Sequence, residues 1–355
     1  MIRLGAVGDV VRTLPSVSSL RAAYPGSTIA WLVEPASASA VEGQPWVDEV
    51  ILFPRGMLQE SLARWRLLRA ARIARRFLGD LRRRRFDLVL DFHSILKSGV
   101  LARLSGAPTR ASYARPFARE GAFLFATARA RMEPTKISRF ERNEGLVRFL
   151  GLHADSDQRP LRLEPEILER AAKALGPGPA PVAIHPGTSD ATPHKRYTVA
   201  GYAAVARALA DGEGMTSVVS CGPARDDRAF AAAIVEASGG AARIAPETPT
   251  LADLAALFSR SRLYIGGDTG PMHVASLVGT PVVQILGPTD PVENAPFPGS
   301  SSRTVRVQIH CNPCRRGCAA VTCMRVIPPE MVIDAARELL ATTAAGVGAR
   351  RPLRA

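Results

Sequence analysis

Apolar residues in this chain gather in short unbroken runs that stop at glycine, proline or a small polar residue, and between the runs they recur at helical spacing. The runs at 28–34, 49–53, 87–91, 182–184, 215–220, 263–265 and 282–286 do not alternate with polar residues, which is how strands buried on both faces read. Segments 10–14, 17–23, 36–41, 58–81, 123–131, 138–152, 251–258, 271–277 and 329–342 predict helices, and a further helix starts at Glu164 after a strand-like 161–163. Strand, turn and helix in repeated succession predict an α/β protein built on parallel sheets. With 355 residues the chain is long enough for two domains, each with its own core. The join falls within 152–181, which ends in Gly176-Pro-Gly-Pro-Ala-Pro181. We assign 1–165 and 176–328 to the two domains.

Ligands of parallel sheets lie beyond the carboxyl ends of the strands, where helix N-termini offer free backbone N–H groups to anions. In residues 262–290 a strand through Leu263, Tyr264 and Ile265 ends at Gly266-Gly267, Asp268-Thr269-Gly270 form the turn, and Pro271 opens a helix that carries His273. After the strand at 182–184, Thr188 and Ser189 offer hydroxyls to a diphosphate, and Lys195 offers charge against a leaving group. Asp226 and Asp227 follow the strand at 215–220. In the first domain Gly5 and Gly8 bracket a turn in which Asp9 is either a helix cap or a reactive carboxylate. His93 and Lys97 follow the strand at 87–91, and Arg110, Arg115, Arg119 and Glu120 crowd the polar segment 110–121.

The string 262–290 closely resembles the donor-binding signature of glycosyltransferase family 9, the bacterial lipopolysaccharide heptosyltransferases, and the resemblance runs over residues 1–340. It implies a GT-B fold, two Rossmann-like domains facing across a cleft, with the nucleotide-sugar held mainly by the second and the last helix, 329–345, packing back on the first. It implies Asp9 as catalytic base, Thr188, Ser189, Lys195, Thr269 and Gly270 around the diphosphate, and Asp268 on the sugar. Asp226, or Asp227 if the register shifts, would bond the ribose, His273 would support the loop or reach the phosphate, and the backbone near 249–251 would face the base. Lys97, Arg115, Arg119 and Glu120 fall on the acceptor side. The implied reaction is inverting transfer of heptose from ADP-heptose, or another nucleotide-sugar, to a lipopolysaccharide inner-core acceptor, with no cofactor and no catalytic metal. The family's first strand is reduced here to Ile2-Arg3-Leu4, which predicts either a start upstream or a short central strand. That departure leaves a second reading open, a catalytically silent nucleotide-sugar-binding or assembly protein on the same frame.

Charge changes the picture only in the first domain. Residues 1–150 hold 25 of the 46 basic and 13 of the 32 acidic side chains, a net of +12 against +2 for the remainder. Eleven arginines lie between Arg55 and Arg85. Such a face is a solvated helix surface or a site for anionic lipid or a phosphorylated substrate. Trp65, Phe77 and Phe86 are too sparse for a stacking platform, so nucleic acid is not an expected partner. No apolar run reaches the roughly 18 residues that span a bilayer, and the N-terminus has no signal-peptide core. The expected location is therefore cytoplasmic, at the inner face of the membrane. Cys311, Cys314, Cys318 and Cys323 have the spacing of a structural zinc cluster or are free thiols. Asp155-Ser156-Asp157 has the form of the metal-binding Asp-x-Asp of other glycosyltransferases, but its loop position beside the domain join reads as solvated.

Overall fold

The computed structural model describes residues 1–152, 161–189, 192–222, 225–314 and 317–345, and divides into two compact units, Met1–Pro160 and Leu161–Ala355. Asp155-Ser156-Asp157 and the basic tail at 346–355 lie outside the described residues.

In the first unit β1 (Ala30–Val33) pairs with β2 (Glu49–Leu52), and β3 (Leu88–Leu90), β4 (Thr109–Tyr113) and β5 (Ala128–Ala130) pair in succession, all parallel. Ile2 joins the two ribbons, bridging in parallel to Leu32 on one side and to Asp91 on the other. Its amide donates to the Leu90 carbonyl at 2.8 Å, and its carbonyl accepts from the Phe92 amide at 3.1 Å. The reduced first strand therefore still occupies the centre of its sheet. Its side chains Ile2 and Leu4 pack with Leu32, Ile51, Phe53 and Val89 in the core or are fully buried beside them.

The second unit carries one parallel sheet of β6 (Val182–His185), β7 (Ser217–Val219), β8 (Ala242–Ile244), β9 (Leu263–Gly267), β10 (Val282–Ile285) and β11 (Ser302–Val305), in the order β11-β10-β9-β6-β7-β8. With the Ile2 segment counted as a first strand, both units have the 3-2-1-4-5-6 order of the doubly wound dinucleotide-binding sheet. In that order the chain reverses direction of travel between the first and fourth strands, and a crevice opens at their carboxyl ends. Those ends are Leu4 and Asp91 in one unit, and His185 and Gly267 in the other.

Several elements differ from expectation. The segment 123–131 has alanine and arginine in the proportions of a helix, yet it forms only a 3₁₀ turn at Ala122–Phe125 before entering β5, because β4 leaves an open edge that Ala128–Ala130 completes. The single helix expected over 58–81 is two, Arg55–Ala63 and Leu67–Arg83, broken where Trp65 takes the left-handed conformation. Residues 161–163 are not a strand. The helix Pro165–Leu175 packs on the helix Leu251–Ser259, so the Gly-Pro run at 176–181 lies within the second unit, which starts at Leu161 and not at 176. The helix Pro329–Ala345 was expected on the first domain. Its Val332, Ala336, Leu339 and Leu340 are buried in the second unit's core with Ile265, Val283 and Val305.

Candidate active site

In the second unit the carboxyl ends of β6 and β9 run so close together that Gly266 has no room for a Cβ, and Gly267 has little. A Cβ at Gly266 would stand 2.7 Å from the His185 carbonyl oxygen, and one at Gly267 would stand 3.3 Å from that of Lys195. Two glycines therefore let the Asp268 turn and the Lys195 segment meet. Lys195 Nζ donates to Asp268 Oδ2 at 2.9 Å and to the Asp268 carbonyl at 3.4 Å. The carboxylate side chain is 2% exposed and the lysine 19%, so the pair is largely removed from water. His273 is fully buried one turn into the helix Gly270–Leu277, with Nε2 3.7 Å from Asp268 Oδ1. Thr269 is the N-cap and Gly270 the first helical residue, at the end where backbone amides are open to an anion.

Across the switch point, buried Thr188 accepts from Arg196 Nε at 3.1 Å, and the Arg196 guanidinium also pairs with Asp227. Ser189 is exposed, with its hydroxyl 2.8 Å from that of Thr192. His185 is buried behind this loop, its Nδ1 2.9 Å from the Ser220 hydroxyl, and burial lowers its pKa to about 4, so the ring is neutral. The helix Arg225–Ala237 turns Asp227 inward and leaves Asp226 exposed. Thus Asp227 belongs to the scaffold of the Thr188 loop, and Asp226 is the open acid.

Among the described residues no group of three or more metal-binding side chains is placed to hold a metal ion. Cys311 and Cys318 are exposed while Cys323 is buried, with its thiol pushed up by burial and then by the neighbouring cysteines. The segment has a packing role. The Cys314 amide donates to the Pro288 carbonyl at 2.8 Å, Cys323 and Met324 lie against Gly287 at the end of β10, and Gly317 lies against the His194 ring beside Lys195.

In the first unit Asp9 sits in the helix Val7–Val11 whose N-cap is Ala6, so it is not the cap. Its carboxylate pairs with Arg3, with Arg12 at 3.1 Å and with Arg139 at 3.1 Å. Burial opposes ionisation, but Arg3, Arg12, Arg139 and Arg142 together hold the carboxyl far below the usual carboxylate range. His93 accepts from the Leu4 amide at 3.3 Å, and its pKa is lowered to about 3 by burial and by Arg3. Beneath it buried Asp91 accepts from the amides of His93 and Ser94 and from the Ser98 hydroxyl. Burial raises the Asp91 carboxyl to about 6.

The residues expected on the acceptor side are not one cluster. Lys97 pairs with Glu34 at 2.6 Å, and Glu34 also takes Arg55 at 2.8 Å. Arg115 lies 4.6 Å from the Phe123 ring centroid and, with Arg129 and Arg131, lines a cavity of about 460 Å³. Arg119 is exposed and donates its amide to the Ser94 carbonyl, whereas Glu120 receives the Leu96 amide at 3.3 Å at the start of the helix Leu96–Leu104. Glu120 therefore supports a helix start. Of the Arg3, Arg12, Arg139 and Arg142 surround of Asp9, only Arg12, three residues after it, is a signal local in sequence. Arg139 and Arg142 approach only through the fold.

Two dinucleotide-binding sheets in succession, each with charged side chains at its switch point, have the make-up of the GT-B fold. The sequence profile of glycosyltransferase family 9 (heptosyltransferase) matches residues 74–324, and the chain belongs to that family. It is similar to lipopolysaccharide heptosyltransferase 1 of Pseudomonas aeruginosa, at 28% identity over 335 residues, 88% of this chain and 85% of that one. It is also similar to the lipopolysaccharide core heptosyltransferase OpsX of Haemophilus influenzae, at 23% over 301 residues, 84% of this chain and 81% of that one. Among solved structures, the Escherichia coli heptosyltransferase WaaC with ADP superposes with a TM-score of 0.73 at 18% identity, covering 95% of this chain and 98% of that one.

Proposed function

We propose that this glycosyltransferase moves heptose from ADP-heptose to the inner core of lipopolysaccharide, with inversion at the anomeric carbon and without a catalytic metal. The observation that carries the proposal is the Lys195–Asp268 pair at the switch point of the second sheet, beside the open helix end at Thr269-Gly270. A diphosphate at that helix end would draw Lys195 from Asp268 and have its growing charge neutralised as the glycosidic bond breaks. Asp268 would then be freed to bond the sugar. Thr188 and Ser189 would complete the diphosphate contacts, and exposed Asp226 would bond the ribose. The heptosyltransferase names of the relatives and the ADP complex of WaaC support the choice of donor.

Asp9 is proposed as the base that takes the acceptor hydroxyl proton. Its arginines make it a poor base at rest, which is the observation that favours the silent reading. An acceptor bearing phosphate or carboxylate would resolve the conflict by drawing arginines to itself and raising the basicity of Asp9. Lys97, Arg115 and Arg119 would hold that acceptor. We also propose attachment to the anionic inner leaflet through the arginines between Arg55 and Arg85, where the lipid-linked acceptor would be met. Among the described residues no helix is long and apolar enough to cross a membrane.

Thermal stabilisation by a panel of nucleotides and nucleotide-sugars tests the donor. ADP and ADP-heptose should raise the melting temperature of the wild type, and Asp268→Asn should lose the extra stabilisation that the heptose adds over ADP alone. Stabilisation by UDP or GDP compounds in place of ADP would overturn the donor assignment.

A further inference from the structure

Residues Leu62 to Arg69, Leu-Ala-Arg-Trp-Arg-Leu-Leu-Arg, are eight consecutive exposed residues. They form the corner between the helices Arg55–Ala63 and Leu67–Arg83. The corner is built and specific. Trp65 holds the left-handed conformation at φ 54°, its amide donates to the Leu62 carbonyl at 3.0 Å, and the Arg66 amide donates to the carbonyl of buried Ser61 at 2.8 Å. The outcome is that Trp65 and Leu68 are 85% and 86% exposed, with Met57, Leu62 and Leu67 each more than half exposed around them. Positive φ is uncommon for a residue other than glycine, and contiguous exposed apolar groups mark contact sites.

We infer that this corner is a membrane wedge, with Leu62, Trp65, Leu67 and Leu68 entering the headgroup and upper acyl region of an anionic bilayer. The inference rests on the proposed attachment to the inner leaflet and names the residues that penetrate it. Charge complementarity decides the occupant. Residues 55–79 contain seven arginines and a single acid, Glu60, which is already paired with Arg64 at 2.9 Å. Arg64, Arg66 and Arg69 alternate with the apolar side chains, so guanidinium groups would lie at phosphate level when the apolar ones are buried. Tryptophan favours that same interfacial depth, and basic residues beside large apolar ones are the make-up of a segment lying in the interface. The apolar members other than Trp65 are aliphatic and offer no face for base stacking, which disfavours a nucleic acid.

Trp65 reports on its own insertion. The other two tryptophans, Trp31 and Trp46, are 0% and 7% exposed, so lipid contact can change only Trp65. The full chain is mixed with vesicles of phosphatidylcholine alone or with a quarter phosphatidylglycerol, and with the same vesicles brominated in the acyl chains. Insertion predicts a blue shift and quenching by brominated lipid on the anionic vesicles, both absent in Trp65→Phe, which still co-sediments. Leu62→Ser/Trp65→Ser/Leu68→Ser should weaken partitioning at least tenfold while circular dichroism stays unchanged, because all three positions are exposed. Co-sedimentation without blue shift or quenching would overturn the wedge and leave the electrostatic attachment standing. Failure to co-sediment with any anionic vesicle would overturn both. Self-association of the wild type that the triple variant abolishes, with Trp65 unquenched by lipid, would assign the corner to a second copy and overturn the wedge.

Discussion

Replacing Lys195 with methionine keeps most of the aliphatic stem and removes the ammonium from a carboxylate that is 2% exposed. Breaking a buried ion pair by removing one partner destabilises by about 3–5 kcal/mol, because the surviving charge stays desolvated. Lys195 is itself 19% exposed, so water already screens part of the pair. A loss of about 2–4 kcal/mol is the expected result. For a unit of this size each kcal/mol moves the midpoint by about 2–4 °C. Lys195→Met should therefore melt roughly 5–15 °C early in the transition of the second unit, followed by calorimetry. Asp268→Asn removes the stranded charge, so Lys195→Met/Asp268→Asn should regain part of the lost stability, with a coupling of at least about 1 kcal/mol. Transfer activity should not return in the double variant, since both groups are assigned to the donor, and Lys195→Met alone should lower kcat about 10²-fold or more. A Lys195→Met protein that melts with the wild type, or a double variant whose stability is the plain sum of the two singles, would refute the pair as described.

Other outcomes follow from the same geometry. Asp9→Asn should lower kcat by about 10²- to 10⁴-fold in a transfer assay with ADP affinity unchanged, and normal turnover would remove Asp9 as base. The same change takes an anion from buried Arg3 and Arg12, so a modest drop in melting temperature should accompany it. His185 remains neutral in the fold down to about pH 4, whereas an unfolded histidine takes a proton below about pH 6.5. Stability should thus fall as pH drops from 6.5 to 4, by about 1.4 kcal/mol per pH unit from this group, and urea melts of His185→Asn should show a shallower slope across that window. An unchanged slope would mean that His185 is protonated in the fold. Glu120→Gln should leave acceptor KM within about twofold, because Glu120 receives a backbone amide; a rise of tenfold would return it to the acceptor site.

The parts of the fold that were legible are those where burial writes the sequence directly. Val182-Ala-Ile184 and Leu263-Tyr-Ile265 lie at the middle of a sheet covered on both faces, so no polar residue is tolerated in them. Edge strands carry no such demand. Ala242–Ile244 and Ser302–Val305 close the two sides of the second sheet with an arginine in each, and neither reads as a strand. Ala128–Ala130 reads as helix by propensity and is overruled by the partner strand it meets. The break at Trp65 has no glycine or proline to announce it. In the candidate site, the Asp268 turn and Lys195 stand out in the sequence because glycine and polar residues interrupt the apolar runs at those strand ends. The choice between Asp226 and Asp227 was not legible, since one residue turns a helical side chain by about 100° and the answer depends on where the helix begins. The arginines around Asp9 come from positions 3, 12, 139 and 142, and only the packed sheet brings them together.

Heptose transfer is tested by supplying the purified protein with ADP-heptose and a deacylated inner-core acceptor in the presence of a chelator, and assigning the product's anomeric configuration by NMR. Expected are heptosylated acceptor and free ADP, an anomeric configuration opposite to the donor's, and a rate the chelator does not change. A donor that binds and is never transferred, a product that retains the donor's configuration, or a reaction that stops with the chelator would contradict the proposed reaction.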